Sequence, residues 1–211
     1  KQKHSKAILF FRLGDFYEMF GKDARIASKI LQITLTSRDK NKKNATPLCG
    51  IPYHAAEGYI ARLIKAGHTV AICEQVEDPK KATGIVKREV IRVVTPGTVM
   101  DSNLLEGKEN NFLGALALDS DGMGVAFVDN STGEFWVTEY QGSDWYSKLE
   151  TEFSRKAPRE MIIPKVLSKD SSLQKLWEKL PGIHIEHLEN DIFQNNYARN
   201  NLQNHFQVHS L

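Results

Sequence analysis

Only two of the 211 residues are cysteine, Cys49 and Cys73. Two thiols build no disulfide framework, and both stand in apolar strings, where a buried thiol is the ordinary reading. Long apolar runs are missing as well: none approaches the roughly 20 residues that a membrane-crossing helix needs. No charged, then apolar, then small-residue leader opens the chain, so a cytoplasmic location without a membrane partner is expected. No G-x-x-x-x-G-K-[ST] loop occurs, which excludes the usual nucleoside-triphosphate cradle. Zinc spacing is absent too: His184-x-x-His187 and the pair His205/His209 lack thiolate or further His companions. There is no internal repeat and no low-complexity tract. What remains, 41% hydrophobic and 26% charged residues, is the balance of a globular chain of one or two domains.

Charge is distributed unevenly. Residues 1–107 hold 18 of the 28 Lys+Arg and 11 of the 26 Asp+Glu, a balance of +7 against −5 in residues 108–211. A basic first half suits a polyanion, of which nucleic acid is the commonest, while an acidic second half is poorly suited to follow phosphates.

The stretch from Ala7 to Phe20, rich in apolar and aromatic residues, reads as strand broken by a turn at Gly14-Asp15. After the turn Phe16, Glu18 and Phe20 share one face, and Tyr17 and Met19 share the other. The first face is odd. A core does not want the unpaired carboxylate of Glu18, and a solvated face does not want two phenylalanine rings. Either Phe16 is ordinary core with Glu18 tilted to solvent or paired to an arginine, or the face inserts a ring into a partner and reads a polar edge with the acid.

Further along, Gly21–Gln32 reads as a helix with Ala24, Ala27, Ile30 and Leu31 as its apolar stripe. Ile33–Thr36 reads as a strand. Residues 38–46, with Arg38, Lys40, Lys42 and Lys43, form a polar loop suited either to phosphates or to solvent. Cys49–His54 reads as a turn leading into a helix that carries Tyr59, Ile60, Leu63 and Ile64 and ends near Gly67. Strands are expected at His68–Val76 and Ile85–Thr95. The polar residues 101–111 suggest a domain boundary, with domains at 1–107 and 108–211. In the second, strands at Phe112–Leu118, Gly124–Asp129 and Glu134–Glu139 precede alternating helices and strands: 144–156, 160–163, 171–180, 184–188 and a single helix over about 191–206. The fold class is α/β.

The string Phe11-Arg-Leu-Gly-Asp-Phe-Tyr-Glu-Met-Phe20 resembles the mismatch-recognition signature of the MutS family, with its Phe-x-Glu element on Phe16, Tyr17 and Glu18. Ile33-Thr-Leu-Thr-Ser-Arg38, Cys49-Gly-Ile-Pro-Tyr-His-Ala55, Val70-Ala-Ile-Cys-Glu-Gln75 and Arg92-Val-Val-Thr-Pro-Gly-Thr98 resemble further family segments in the same order. The resemblance implies a mixed-sheet mismatch-recognition domain packed by helices, followed by a ribonuclease-H-like connector domain, C-terminally incomplete. Together with the opening on Lys1 it implies a fragment. It also implies DNA mismatch recognition in mismatch repair. Phe16 would enter the minor groove beside the mispaired base, and Glu18 would repel ordinary DNA and hydrogen-bond to the displaced base. Arg38 and Gln75 fall in segments that lie near the DNA in the family. The implied partners are double-stranded DNA with mismatches or small loops, MutL, and the remainder of a dimeric MutS. No cofactor is expected here; ATP and Mg would belong to an ATPase domain outside the chain. One alternative is a protein-interaction module docking MutL or other MutS domains. Another is a metal-dependent nuclease built on Asp15, Glu18, Asp39, Glu74 or Asp129, for which no second acid lies at a telling spacing from Asp129.

Overall fold

The computed structural model describes residues 1–37, 45–77, 84, 86–99, 110–118, 122–142 and 144–210. The chain divides into two units, Lys1–Leu104 and Leu105–Leu211.

The first unit is built on β1 (Ile8–Leu13), β2 (Phe16–Phe20), α1 (Gly21–Leu31), β3 (Thr36–Ser37), β4 (Pro47–Pro52), α2 (Ala56–Lys65), β5 (Val70–Gln75) and β6 (Arg88–Val94). Its six-stranded sheet runs β3-β4-β2-β1-β5-β6, with β1 antiparallel to β2 and parallel to β5. Gly14, at φ +57°, takes the left-handed conformation that lets the chain reverse in two residues. Ile8, Phe10, Tyr17, Met19, Cys49, Ile51, Val70 and Ile72 are buried on one face. The Cys49 thiol reaches the Ala24 carbonyl of α1 at 3.5 Å, so the helix lies on that face. From α1 the stripe Ala24, Ala27 and Leu31 is buried, and from α2 Ile60, Leu63 and Ile64.

Both helices stop by local chemistry. At the end of α2, Gly67 (φ +79°) donates to the Ile64 carbonyl at 2.8 Å and His68 to the Leu63 carbonyl at 3.0 Å. That pair of bonds closes the last turn around a left-handed residue. At the end of α1, Gln32 is left-handed and Ile33 donates back to Ser28 at 3.1 Å. This corrects the strand expected over 33–36. Ile33 is used by the helix end, and only Thr36 and Ser37 pair, with Leu48 and Pro47. The turn expected at Cys49–His54 is also corrected. Cys49 and Ile51 alternate inward, and β4 pairs with β2 from Phe16↔Pro52 to Phe20↔Leu48.

In the second unit, β7 (Phe112–Leu118), β8 (Gly122–Asp129) and β9 (Glu134–Gln141) form an antiparallel meander. They are followed by α3 (Trp145–Lys156), β10 (Glu160–Pro164), α4 (Ser171–Glu178), β11 (His184–Leu188) and α5 (Asn195–Phe206). The sheet order is β11-β10-β7-β8-β9, with β10 parallel to both β7 and β11. Three hairpin-connected strands extended by two parallel ones are the ribonuclease-H-like arrangement, so both units are mixed α/β. Phe127 meets the rings of Phe112, Trp136 and Phe153, and Phe153 stacks on Trp177 at 5.5 Å. Asp170 caps α4 by accepting from the amides of Ser172 and Leu173, each at 2.9 Å. The single helix expected over 191–206 is broken at Gln194, whose ψ of 139° is extended, and α5 buries none of its residues. Among the described residues no helix is long and apolar enough to cross a membrane.

Candidate nucleic-acid interface

The face of the first sheet opposite α1 carries Phe11, Phe16, Glu18, Phe20, Leu48, Gly50 and Pro52. Phe16 stands directly after the hairpin turn, opposite Leu13 and Pro52, and is 49% exposed. Two residues on, Glu18 lies between Phe11 of β1 and Gly50 of β4. Its Oε2 is buried and has no hydrogen-bond partner among the described residues. A carboxylate oxygen in that condition is costly unless a donor arrives from outside. The strip around it is apolar: Phe11 and Phe20 meet edge to face at 6.3 Å, and Gly50 adds no side chain beside it.

Behind this face lies a polar cluster. The Tyr17 hydroxyl donates to Glu74 Oε1, and Arg12 Nη1 stands 3.4 Å from the same oxygen. Burial, then the bond to Glu74, push the Tyr17 phenol up to about 12. The Arg12 guanidinium lies 3.4 Å over the Tyr53 ring, and its Nε donates to the Gly14 carbonyl. Tyr53 donates its own amide to the Asp15 carbonyl at 3.0 Å. The Arg12 carbonyl in turn accepts from Arg88 Nε at 2.8 Å.

The sheet thus brings Phe16 and Glu18 together on one face. Gln75 ends β5, half-buried; Glu74 points to the helix side, so alternation sets Gln75 on the open face, two strands from β2. Arg38 and its neighbouring lysines lie outside the described residues, as does Asp39. Sequence reasoning placed no site role on Arg12 and left Tyr53 in a turn. A signal was available: alternation puts Arg12 on the side of Phe10, where a guanidinium needs partners.

The carboxylates considered for metal chemistry are held by protein donors where the structure shows them engaged. Glu74 serves Tyr17 and Arg12. Asp129, fully buried, accepts from the Asn111 amide at 3.0 Å, the Ser131 amide at 2.8 Å and the Ser131 hydroxyl at 2.6 Å. Burial alone would raise its pKa; those bonds and one from the Thr132 amide outweigh it and hold the group below its ordinary 3.8. Among the described residues no three His, Cys, Asp or Glu side chains gather into a metal-holding group. His184 and His187, three apart on β11, point to opposite faces of the sheet.

Comparison with known proteins bears on both units. The family model of MutS domain I matches residues 1–103, and that of MutS domain II matches residues 111–211. The chain is 47% identical over 212 residues to the DNA mismatch repair protein MutS of Alkaliphilus oremlandii, covering 99% of this chain and 24% of that protein. It is 44% identical over 212 residues to the protein of the same name from Methanococcoides burtonii, covering 100% of this chain and 24% of that protein. With the one from Syntrophomonas wolfei it shares 51% over 179 residues, 85% of this chain and 20% of that protein. The chain spans about a quarter or less of the length of these relatives. With one domain model on each of its two units, the chain belongs to the MutS family.

Proposed function

We propose that the chain is the mismatch-recognition part of a DNA mismatch-repair protein, joined to its connector domain. The first unit binds double-stranded DNA from the minor groove, and Phe16 enters the stack beside a mispaired base. A mispaired step has already lost part of its pairing, so opening it costs less than opening a matched one. Selectivity then follows from deformation energy and needs no sequence code. Glu18 accepts or shares a hydrogen bond with the displaced base, and its charge disfavours docking on matched DNA. Arg38 and Gln75 contact the DNA backbone. The observation that carries this reading is the pairing of a half-exposed ring with a buried carboxylate oxygen that has no donor among the described residues.

The second unit would link this part to MutL and to the rest of a dimeric MutS in the cytoplasm. Two exposed side chains on its edge strand, Phe135 (67%) and Val137 (65%), favour a protein contact there. ATP and magnesium would act in another domain of the longer protein, and no catalytic role is assigned to the residues described here.

The test is a comparison of matched and mismatched duplexes at fixed salt, in a full-length MutS chain containing this sequence. Phe16→Ala removes one base–aromatic stack, about 1–3 kcal/mol, and mismatch affinity falls by up to about a hundredfold. Glu18→Gln acts from the other side: matched binding tightens as the repelling charge is lost. The wedge reading fails if Phe16→Ala keeps the native ratio of the two dissociation constants.

A further inference from the structure

Both carbonyls of the hairpin turn that precedes Phe16 are held from outside the hairpin's own ladder. The Gly14 carbonyl accepts from Arg12 Nε, and the Asp15 carbonyl accepts from the Tyr53 amide at 3.0 Å. The two donors are held against each other, since the Arg12 guanidinium carbon lies over the Tyr53 ring, 3.4 Å from its centre. Glu74, from the neighbouring strand β5, holds Arg12 Nη1 at 3.4 Å and accepts from the hydroxyl of Tyr17, the residue next to Phe16. We propose that Arg12, clamped between Tyr53 and Glu74, is a positioning residue that fixes the Gly14-Asp15 turn and thereby aims the Phe16 ring. The proposal rests on the wedge reading given above and deepens it.

Neutralising Glu74 does not by itself account for this geometry. A lysine would balance that charge as well, but it has neither the plane that lies on Tyr53 nor a second nitrogen in a rigid fork for the Gly14 carbonyl. Core packing does not account for it either, because Tyr53 is 42% exposed. What Arg12 and Tyr53 have in common is the turn, one carbonyl each. A ring that must slide between two base pairs works best when it is already oriented. A loosened turn has to be ordered at the moment of insertion, and that loss falls on the mismatched complex alone, since only there is the ring inserted.

The experiment uses the full-length chain with Arg12→Lys, with Tyr53→Leu and, as reference, with Phe16→Ala. Three quantities are read: the ratio of dissociation constants for matched and mismatched duplexes, the exchange rate of the residue-53 amide, and the melting temperature. Arg12→Lys and Tyr53→Leu should each lower the ratio about three- to tenfold and speed exchange at residue 53. The ratio loss should persist well below the melting transition. A purely structural role would lower the melting temperature and leave the ratio as it was. Should Arg12→Lys not fold, Tyr53→Leu decides alone, because its ring is exposed and its amide is kept. A native ratio in the folded variants, beside a collapsed ratio in Phe16→Ala, overturns the clamp and leaves the wedge standing. A native ratio in Phe16→Ala overturns the wedge reading and the clamp with it.

Discussion

One peptide bond separates Phe16, 49% exposed, from Tyr17, 7% exposed. Strand alternation alone divides them, and that much can be read from the order Phe-Tyr-Glu-Met. The further chemistry of the two faces cannot. That no donor among the described residues reaches Glu18 Oε2 depends on what β1 and β4 set beside it, and Arg12 finds Glu74 from 62 positions away. Sequence spacing carries no information on pairs that far apart until the strand order is known. Tyr17 gives a test at this scale. Its phenol is raised to about 12 from an ordinary 10.0 by burial and then by Glu74. The folded protein therefore holds that proton more tightly than the unfolded chain does. The resulting stability is fully present below pH 10.0 and is lost as pH rises towards about 12. Tyr17→Phe removes the titrating group, so the fall in urea midpoint across that window should be shallower than in the parent chain. Equal slopes in parent and variant would mean that Tyr17 does not titrate as a buried group.

At the scale of elements, the long alternating or helical patterns were legible: β7 and β11 fall where the periodicity puts them, and α1, α3 and α4 close to it. One of the misreadings comes from punctuation taken literally. Pro47, Gly50 and Pro52 look like a turn, yet Pro47 and Pro52 stand at the two ends of β4, and Gly50 lies opposite Glu18. In the second unit a glycine has a packing reason. A Cβ at Gly114 of β7 would come within 2.1 Å of Met161 Sδ on β10 and 3.1 Å of Phe127 Cδ1. Met161 and Phe127 are both fully buried, so neither has free space to move into. Gly114→Ala should destabilise this unit by about 1–3 kcal/mol, the usual cost of overpacking. Met161→Val, which withdraws the sulfur, should restore part of that loss, as denaturant midpoints of the single and double variants would show. Simple additivity of the two substitutions would rule out a direct clash.

At the scale of the whole chain, the expected boundary between residues 107 and 108 lies among residues outside those described. Whether the two units melt separately is a question that solution measurements can answer. The tryptophans provide the means: Trp136, Trp145 and Trp177 are the three in the sequence, and all lie in the second unit. Trp136 and Trp177 pack on the core of that unit, against Phe127 and Phe153, so their emission follows its unfolding. Far-ultraviolet circular dichroism reports both units together. If each unit has its own cooperative core, the substitutions sort cleanly. Tyr17→Ala removes a buried ring and its bond to Glu74 from the first unit, a loss of about 3–5 kcal/mol. It should lower part of the dichroism transition by several degrees or more and leave the tryptophan transition in place. Gly114→Ala should do the reverse, moving the tryptophan transition down while the first unit's share of the dichroism change stays where it was. Protease cleavage confined to residues 101–111, releasing two folded fragments, would follow from the same independence. A tryptophan transition that drops equally with Tyr17→Ala would mean that the two units unfold as one. The mismatch binding proposed for the first unit would then depend on the stability of the second.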